Sequence, residues 1–219
     1  MRTMEMKKLK KGVLIVFEGI DGSGKTTQAK ILLDKLSKMD IDAVYFREPS
    51  LGKWGREIKK KAARADSITI EEELDLFQKD RRENVTFNLI PALSEKKVVI
   101  LDRYYFSTMC YQGAKGLDPQ EIRKMNEQFA VRPDIVFILD VDPRAGLDRI
   151  ADRPQKDELF EQEDYLERVR DLFKSITGKN IMHIDGSRPP EEIAVLIEER
   201  TLALLSARSG PKGGILLYF

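Results

Sequence analysis

The sequence predicts an α/β domain built on a parallel sheet. Three observations point there: five short apolar runs without alternation, helical patterning between them, and a glycine-rich loop directly after the first run. A strand that is apolar throughout is buried on both faces, and helices between such strands supply the crossovers of a parallel sheet. Ligands of such a sheet bind at the C-terminal ends of its strands.

The first run, Val13 to Phe17, leads into Gly19-Ile20-Asp21-Gly22-Ser23-Gly24-Lys25-Thr26. This is the pattern GxxxxGK[ST] of a phosphate-binding loop. Gly19, Gly22 and Gly24 let the backbone fold around an anion, N–H groups from Asp21 through Thr27 point inward, and the following helix presents its positive end. Lys25 is placed to reach the β- and γ-phosphates of a nucleotide, and the Thr26 hydroxyl to ligate Mg²⁺. The bare pattern occurs by chance. A strand directly before it and an amphipathic helix from Thr27 to Leu36 directly after it argue against chance here.

Further strands are predicted over 42–46, 98–101, 135–139 and 181–184, and further helices over 71–94, 119–129, 143–150 and 189–205, several opening on proline. The third strand ends in Asp102-Arg103. An acid at the end of an apolar strand beside a phosphate loop can hold Mg²⁺ or its water shell, and an arginine next to it can bind an acceptor phosphate bidentately. An isolated Asp-Arg pair would instead be read as a surface ion pair.

Charged residues make up 34% of the 219, and they cancel to a net +1. That balance offers no general attraction to nucleic acid or to an anionic membrane. Cys110 is the only cysteine, so no internal disulfide forms, and a buried inert thiol in a reducing compartment is expected. The basic segment Met1 to Lys11 precedes an apolar stretch too short for a signal peptide or a membrane span, which points to the cytoplasm. The expected domain is 12–206, flanked by an N-terminal extension (1–11) and a C-terminal tail (207–219).

Beyond the loop, the chain carries Phe17-Glu18 before it and Thr27-Gln28 after it, then Arg47-Glu48-Pro49, Leu76-Phe77-Gln78-Lys79-Asp80-Arg81, Asp102-Arg103-Tyr104-Tyr105-Phe106-Ser107, Tyr111-Gln112-Gly113 and Ile184-Asp185-Gly186. In this order and spacing it resembles the thymidylate kinase family. The resemblance implies a P-loop nucleoside monophosphate kinase fold, a five-stranded parallel sheet with a short lid, and transfer of the γ-phosphoryl of ATP to dTMP with Mg²⁺, in a homodimer. It implies that Phe77 packs on the thymine ring and that Arg81 hydrogen-bonds a base oxygen. Four residues apart on a helix, these two share one face. It also implies polar contacts to the pyrimidine from Ser107, Thr108 and Gln112, exclusion of a 2′-hydroxyl by Tyr111, a role for Asp21 near the sugar and metal, and Arg47 and Arg103 on the acceptor phosphate. The segment 50–56 departs from the glycine- and threonine-rich version of the family, and Trp54 within it reads as packing.

Phosphoryl transfer asks for positive charge beyond Lys25. Some members carry an arginine in the phosphate loop, at the position held here by Gly22; others supply it from the lid. The polar, proline-interrupted segment over about 149–160 fits the second arrangement, with Arg153 as the lid arginine, Lys156 behind it, and Arg149 stacking on adenine. Glu161 matches an acid that closes the lid near the sugar, and the loop containing Arg188 lies where related kinases contact adenine. His183, the only histidine, reads as a satisfied strand residue, since an acceptor phosphate needs no general base. Two alternatives remain: a kinase for another deoxynucleotide or deoxynucleoside, such as dUMP or thymidine, and an ATP-binding regulatory protein.

Overall fold

Each apolar run is a strand, and each ends on a charged residue: β1 is Val13–Glu18, β2 Ala43–Arg47, β3 Val98–Asp102, β4 Ile135–Asp140 and β5 Ile181–Asp185. The five charges therefore line the C-terminal edge of one sheet, while the apolar residues behind them are its core. These elements belong to a computed structural model that describes residues 9–64, 68–150 and 156–208. All pairings are parallel and the strand order is β2-β3-β1-β4-β5. β1 sits centrally, between β3 on one side and β4 on the other. The chain reverses its direction of winding there, which opens a crevice beyond the end of β1.

Nine helices are assigned among the described residues: α1 Lys25–Lys38, α2 Lys53–Arg64, α3 Ile70–Asn84, α4 Ile90–Ser94, α5 Tyr105–Ala114, α6 Pro119–Glu127, α7 Pro143–Ile150, α8 Lys156–Ser175 and α9 Pro190–Arg208. Alternate β1 residues face opposite layers. Val13, Ile15 and Phe17 pack with Ala29, Leu32 and Leu36 of α1 and Ile193, Ile197 and Leu205 of α9. Leu14 and Val16 share the other core with Leu89, Phe106, Met109, Val169 and Phe173.

The helix expected over 71–94 is interrupted. Residues Val85–Leu89 form one π-helical turn between α3 and α4, and Ile90 donates to the carbonyl of Val85 five residues back. Pro91 is the physical reason: it has no N–H to donate, and its ring would press on the carbonyl four residues earlier, so the wider turn makes room for it. At its start α3 is closed by a capping box between Thr69 and Glu72.

Helices α2, α5 and α8 were not read as such from the sequence. In α5, Tyr105 through Cys110 and Gln112 are all buried, so no polar face alternates with an apolar one and the 3.6-residue period has nothing to mark it. Cys110 is buried as expected. His183 lies in β5 but is exposed rather than in the core, and its Nε2 pairs with the carbonyl of Ile176 at 2.8 Å. No described helix is long and apolar enough to cross a membrane.

Candidate active site

Two of the charged strand ends, Arg47 and Asp102, line a pair of adjoining cavities. The larger, about 650 Å³, is lined by the loop from Asp21 to Gln28 together with Asp102, Arg149 and residues 186–190. The smaller, about 300 Å³, is lined by Phe77, Arg81, Ser107, Thr108, Tyr111 and Gln112 among others. Asp21, Arg47 and Arg103 line both. An anion bound in either cavity would thus face the same two arginines.

The loop takes its shape from its glycines. Gly19, Gly22 and Gly24 have φ of 135°, 74° and 93°, where side-chain-bearing residues are strained. A Cβ on Gly22 would also come within 2.0 Å of the carbonyl oxygen of Gly146 in α7. Hence Gly22 cannot carry the arginine that other members place there without moving α7. Gly19 shapes the loop from behind and does not line either of the two cavities.

Lys25 folds back over the loop, donating to the carbonyl of Ile20 at 2.6 Å and approaching Ser23 Oγ at 3.3 Å. Burial, with Arg103 close by, pushes its ammonium down to about 7. Thr26 Oγ1 donates to Asp102 Oδ2 at 2.5 Å, and Tyr45 donates to the same oxygen at 3.0 Å. These two predicted metal ligands therefore come together, from α1 and the end of β3. The donors are hard oxygens, as Mg²⁺ requires.

Arg103 follows β3 with φ of 68°. Its Nη2 pairs with Asp21 Oδ1 at 2.5 Å and its Nη1 donates to Ser107 Oγ at 3.2 Å. Tyr111 donates to the other oxygen of Asp21 at 2.8 Å. Asp21 thus fixes an arginine and an aromatic ring at the mouth between the cavities. Although burial acts to raise it, the Asp21 carboxyl is held below the ordinary aspartate value by Arg103 and Lys25.

Arg81 is only 1% exposed. Its Nε donates to Glu48 at 2.8 Å, Nη1 to Asn126 Oδ1 at 2.7 Å and Nη2 to Thr108 Oγ1 at 3.0 Å, while Asn84 donates to the second oxygen of Glu48 at 3.1 Å. Three of its five N–H groups are engaged within the protein. Arg81 lines the smaller cavity alongside Phe77, with two N–H groups not used by these bonds. Glu48 precedes Pro49 through a cis peptide bond.

At the far end of the larger cavity Arg149 reaches the carbonyls of Gly22 and Gly186, both at 3.3 Å, joining the phosphate loop to the loop after β5. Arg188 pairs with Glu192 at 2.7 Å. The edge beyond β4 is closed differently: Arg170 from α8 grips Asp140 with two nitrogens, at 2.5 and 3.0 Å. Arg153 lies outside the described residues, as do the side chains of Lys156 and Glu161. Every other predicted site residue except Gly19 lines one of the two cavities.

A family model for thymidylate kinase matches residues 17–197. The chain belongs to the thymidylate kinase family. A thymidylate kinase of Akkermansia muciniphila is 43% identical over 190 residues, 87% of this chain and 91% of the relative. A probable thymidylate kinase of Archaeoglobus fulgidus is 40% identical over 83% of this chain and 90% of its own length. For a thymidylate kinase of Xylella fastidiosa the figures are 37%, 94% and 94%. The segments that carried the resemblance, from Phe17 to Gly186, all fall inside the matched region.

Several supporting residues of this thymidylate kinase site escaped sequence reasoning. Glu48 and Glu18 were visible as acids beside strand ends, and burial of an acid there is itself a signal that something must pair with it. Tyr45, Asn126 and Tyr165 carried none: each is an ordinary residue on its element until the fold brings it to Asp102, Arg81 or Tyr111. Gln28 was quoted for the resemblance, yet its contact with the carbonyl of Pro190, which ties α1 to α9, was not foreseen.

Proposed function

We propose that the protein phosphorylates dTMP: a 5′-phosphate oxygen of dTMP attacks the γ-phosphorus of ATP, the bond to the β,γ-bridging oxygen breaks, and dTDP and ADP leave. The observation that carries this reading is the pair of cavities joined at Asp21, Arg47 and Arg103. The larger takes ATP, its phosphates wrapped by residues 21–27 and its base toward residues 186–190 and Arg149. The smaller takes dTMP, with thymine between Phe77 and Arg81, near Thr108 and Gln112, and the phosphate at Arg47 and Arg103.

Two nucleotides held in this way meet phosphate to phosphate, which is most of what phosphoryl transfer demands. The acceptor is already an oxyanion, so no base is needed. Lys25, Arg103 and, from the lid over 149–160, Arg153 balance the charge on the transferred oxygens. Mg²⁺ bound with ATP would neutralise phosphate charge, held by Thr26 and, directly or through water, by Asp102. Tyr111, fixed by Asp21, crowds the sugar and favours deoxyribose by steric exclusion. Glu161 closes the lid over that sugar.

Phe87 and Ile90 are 72% and 48% exposed on the π turn and α4. Such an apolar pair suits burial against a second copy, so the enzyme acts as a homodimer. The lone buried cysteine suits a cytoplasmic enzyme.

A coupled assay of ADP release with ATP and Mg²⁺ against dTMP, dUMP, dCMP, dGMP, the ribonucleotide of thymine and thymidine tests the reading. Highest kcat/KM with dTMP is expected. Preference for dUMP or thymidine, or ADP formed equally well without any acceptor, would overturn it.

A further inference from the structure

Glu18 is the last residue of β1, fully buried, and contacts no cavity described above. Its Oε1 accepts from the backbone N–H groups of Tyr104 at 2.7 Å and Ser107 at 3.2 Å, and its Oε2 accepts from Ser107 Oγ at 2.5 Å. Tyr104 is the N-cap of α5 and offers no side-chain cap of its own. Glu18 therefore caps α5 from another strand, placing a carboxylate where the first N–H groups of that helix need an acceptor.

The residue just before this cap is Arg103. Its left-handed backbone is one that a residue with a side chain holds only when its surroundings fix it. Those surroundings are Phe17, whose carbonyl accepts from Arg103 N at 3.0 Å, and the capped start of α5. Ser107 completes the link: its hydroxyl donates to Glu18 and accepts from Arg103 Nη1 at 3.2 Å. We propose that Glu18 is a positioning residue for the acceptor arginine Arg103, acting through Ser107 and the turn between β3 and α5. This rests on the reading of Arg103 as a phosphate-binding group for dTMP.

The charged groups around Glu18 are Lys25 from the phosphate loop and Arg103 from the turn, with the Cys110 thiol facing it from α5. Burial pushes its carboxyl up to about 7, against the pull of Ser107 and Arg103. Above that pH the carboxylate accepts all three hydrogen bonds; below it the proton removes an acceptor and the charge that faces Arg103.

Glu18→Gln tests the role without emptying the site, because the amide oxygen can still accept from both N–H groups while the amide nitrogen turns toward Ser107. At pH 8.5 the variant should raise the KM for dTMP about tenfold, the scale of one charge-assisted hydrogen bond, and leave the KM for ATP within about twofold. The ratio of variant to unmodified KM for dTMP should shrink toward one below about pH 6, where the native residue is itself neutral. A purely structural role would lower the melting temperature and raise both KM values at every pH, and that result, or an unchanged KM for dTMP, would overturn the proposal. If Glu18→Gln does not fold, Glu18→Asp keeps the charge but draws it back from Ser107 and the start of α5: a rise in the KM for dTMP with the KM for ATP within about twofold supports the proposal, and no rise overturns it. Failure of the unmodified protein to phosphorylate dTMP would count against the acceptor assignment instead.

Discussion

Gly22 and Gly146 meet backbone to backbone. A Cβ on Gly22 would stand 2.0 Å from the Gly146 carbonyl oxygen, and one on Gly146 would stand 2.6 Å from the carbonyl oxygen of Asp21. The phosphate loop is therefore fastened to α7, whose Arg149 also holds the Gly22 carbonyl. Gly22→Arg should not transplant a catalytic charge into the loop; it should displace α7 and lower kcat/KM for ATP about 100-fold, the cost of a shift near 1 Å in a reacting group. Gly146→Ala should show the same sign. Steady-state kinetics with ATP varied checks both, and a Gly22→Arg enzyme at least as active as the original would refute this account.

In the proposed mechanism the transition-state charge comes from Arg153 of the lid. Arg153→Ala is expected to reduce kcat about 1,000-fold while leaving dTMP affinity within about twofold, as for a group that engages only the transferring phosphoryl. Single-turnover kinetics and calorimetric titration with dTMP separate the two effects. Unchanged turnover would move the assignment to another cation.

Lys25 gives a proton-linkage prediction. In the nucleotide-free protein its ammonium is pushed down to about 7 by burial and by Arg103. Triphosphate oxygens beside it favour the charged form and raise it again, so binding should take up a proton between about pH 7 and 9. Titration calorimetry of ATP at pH 8, repeated in buffers of different ionisation enthalpy, should show uptake approaching one proton. Lys25→Met should abolish it; absence of any buffer dependence in the native protein would contradict the assignment.

Arg81 and Glu48 form a buried ion pair, 1% and 3% exposed. Removing one partner strands the other, at a cost of about 3–5 kcal/mol. Arg81→Ala should therefore lower the melting temperature by about 10 °C for a chain of this size, measured by calorimetry. Arg81→Met with Glu48→Leu should recover only part of that stability, because Asn84, Thr108 and Asn126 lose these partners. A melting point unaffected by Arg81→Ala would show that the pair does not hold α3 to the turn after β2.

Strands and the phosphate loop were legible in the sequence because burial on both faces writes itself as continuous apolar runs, and because a backbone that wraps an anion needs glycine at fixed spacing. Phe77 and Arg81 were legible as one face because α3 is a regular helix at that point. The order of strands was not, since a parallel sheet leaves no mark of which crossover goes left or right of β1. Nor were the contacts of Glu18 and Glu48: each is a single acid in the chain, and its partners Ser107 and Arg81 lie 89 and 33 residues away. The turn at Val85–Leu89 was hidden because Pro91 acts on the residues before it, and those residues look helical.

The two cavities share Asp21, Arg47 and Arg103 in their linings. A single molecule joining an adenosine to a thymidine through a phosphate chain could span both, and once one end docked the other would search only a small volume. Its affinity would exceed that of either half by the entropy already surrendered, and the best chain length would measure, from outside the protein, how far apart donor and acceptor sit.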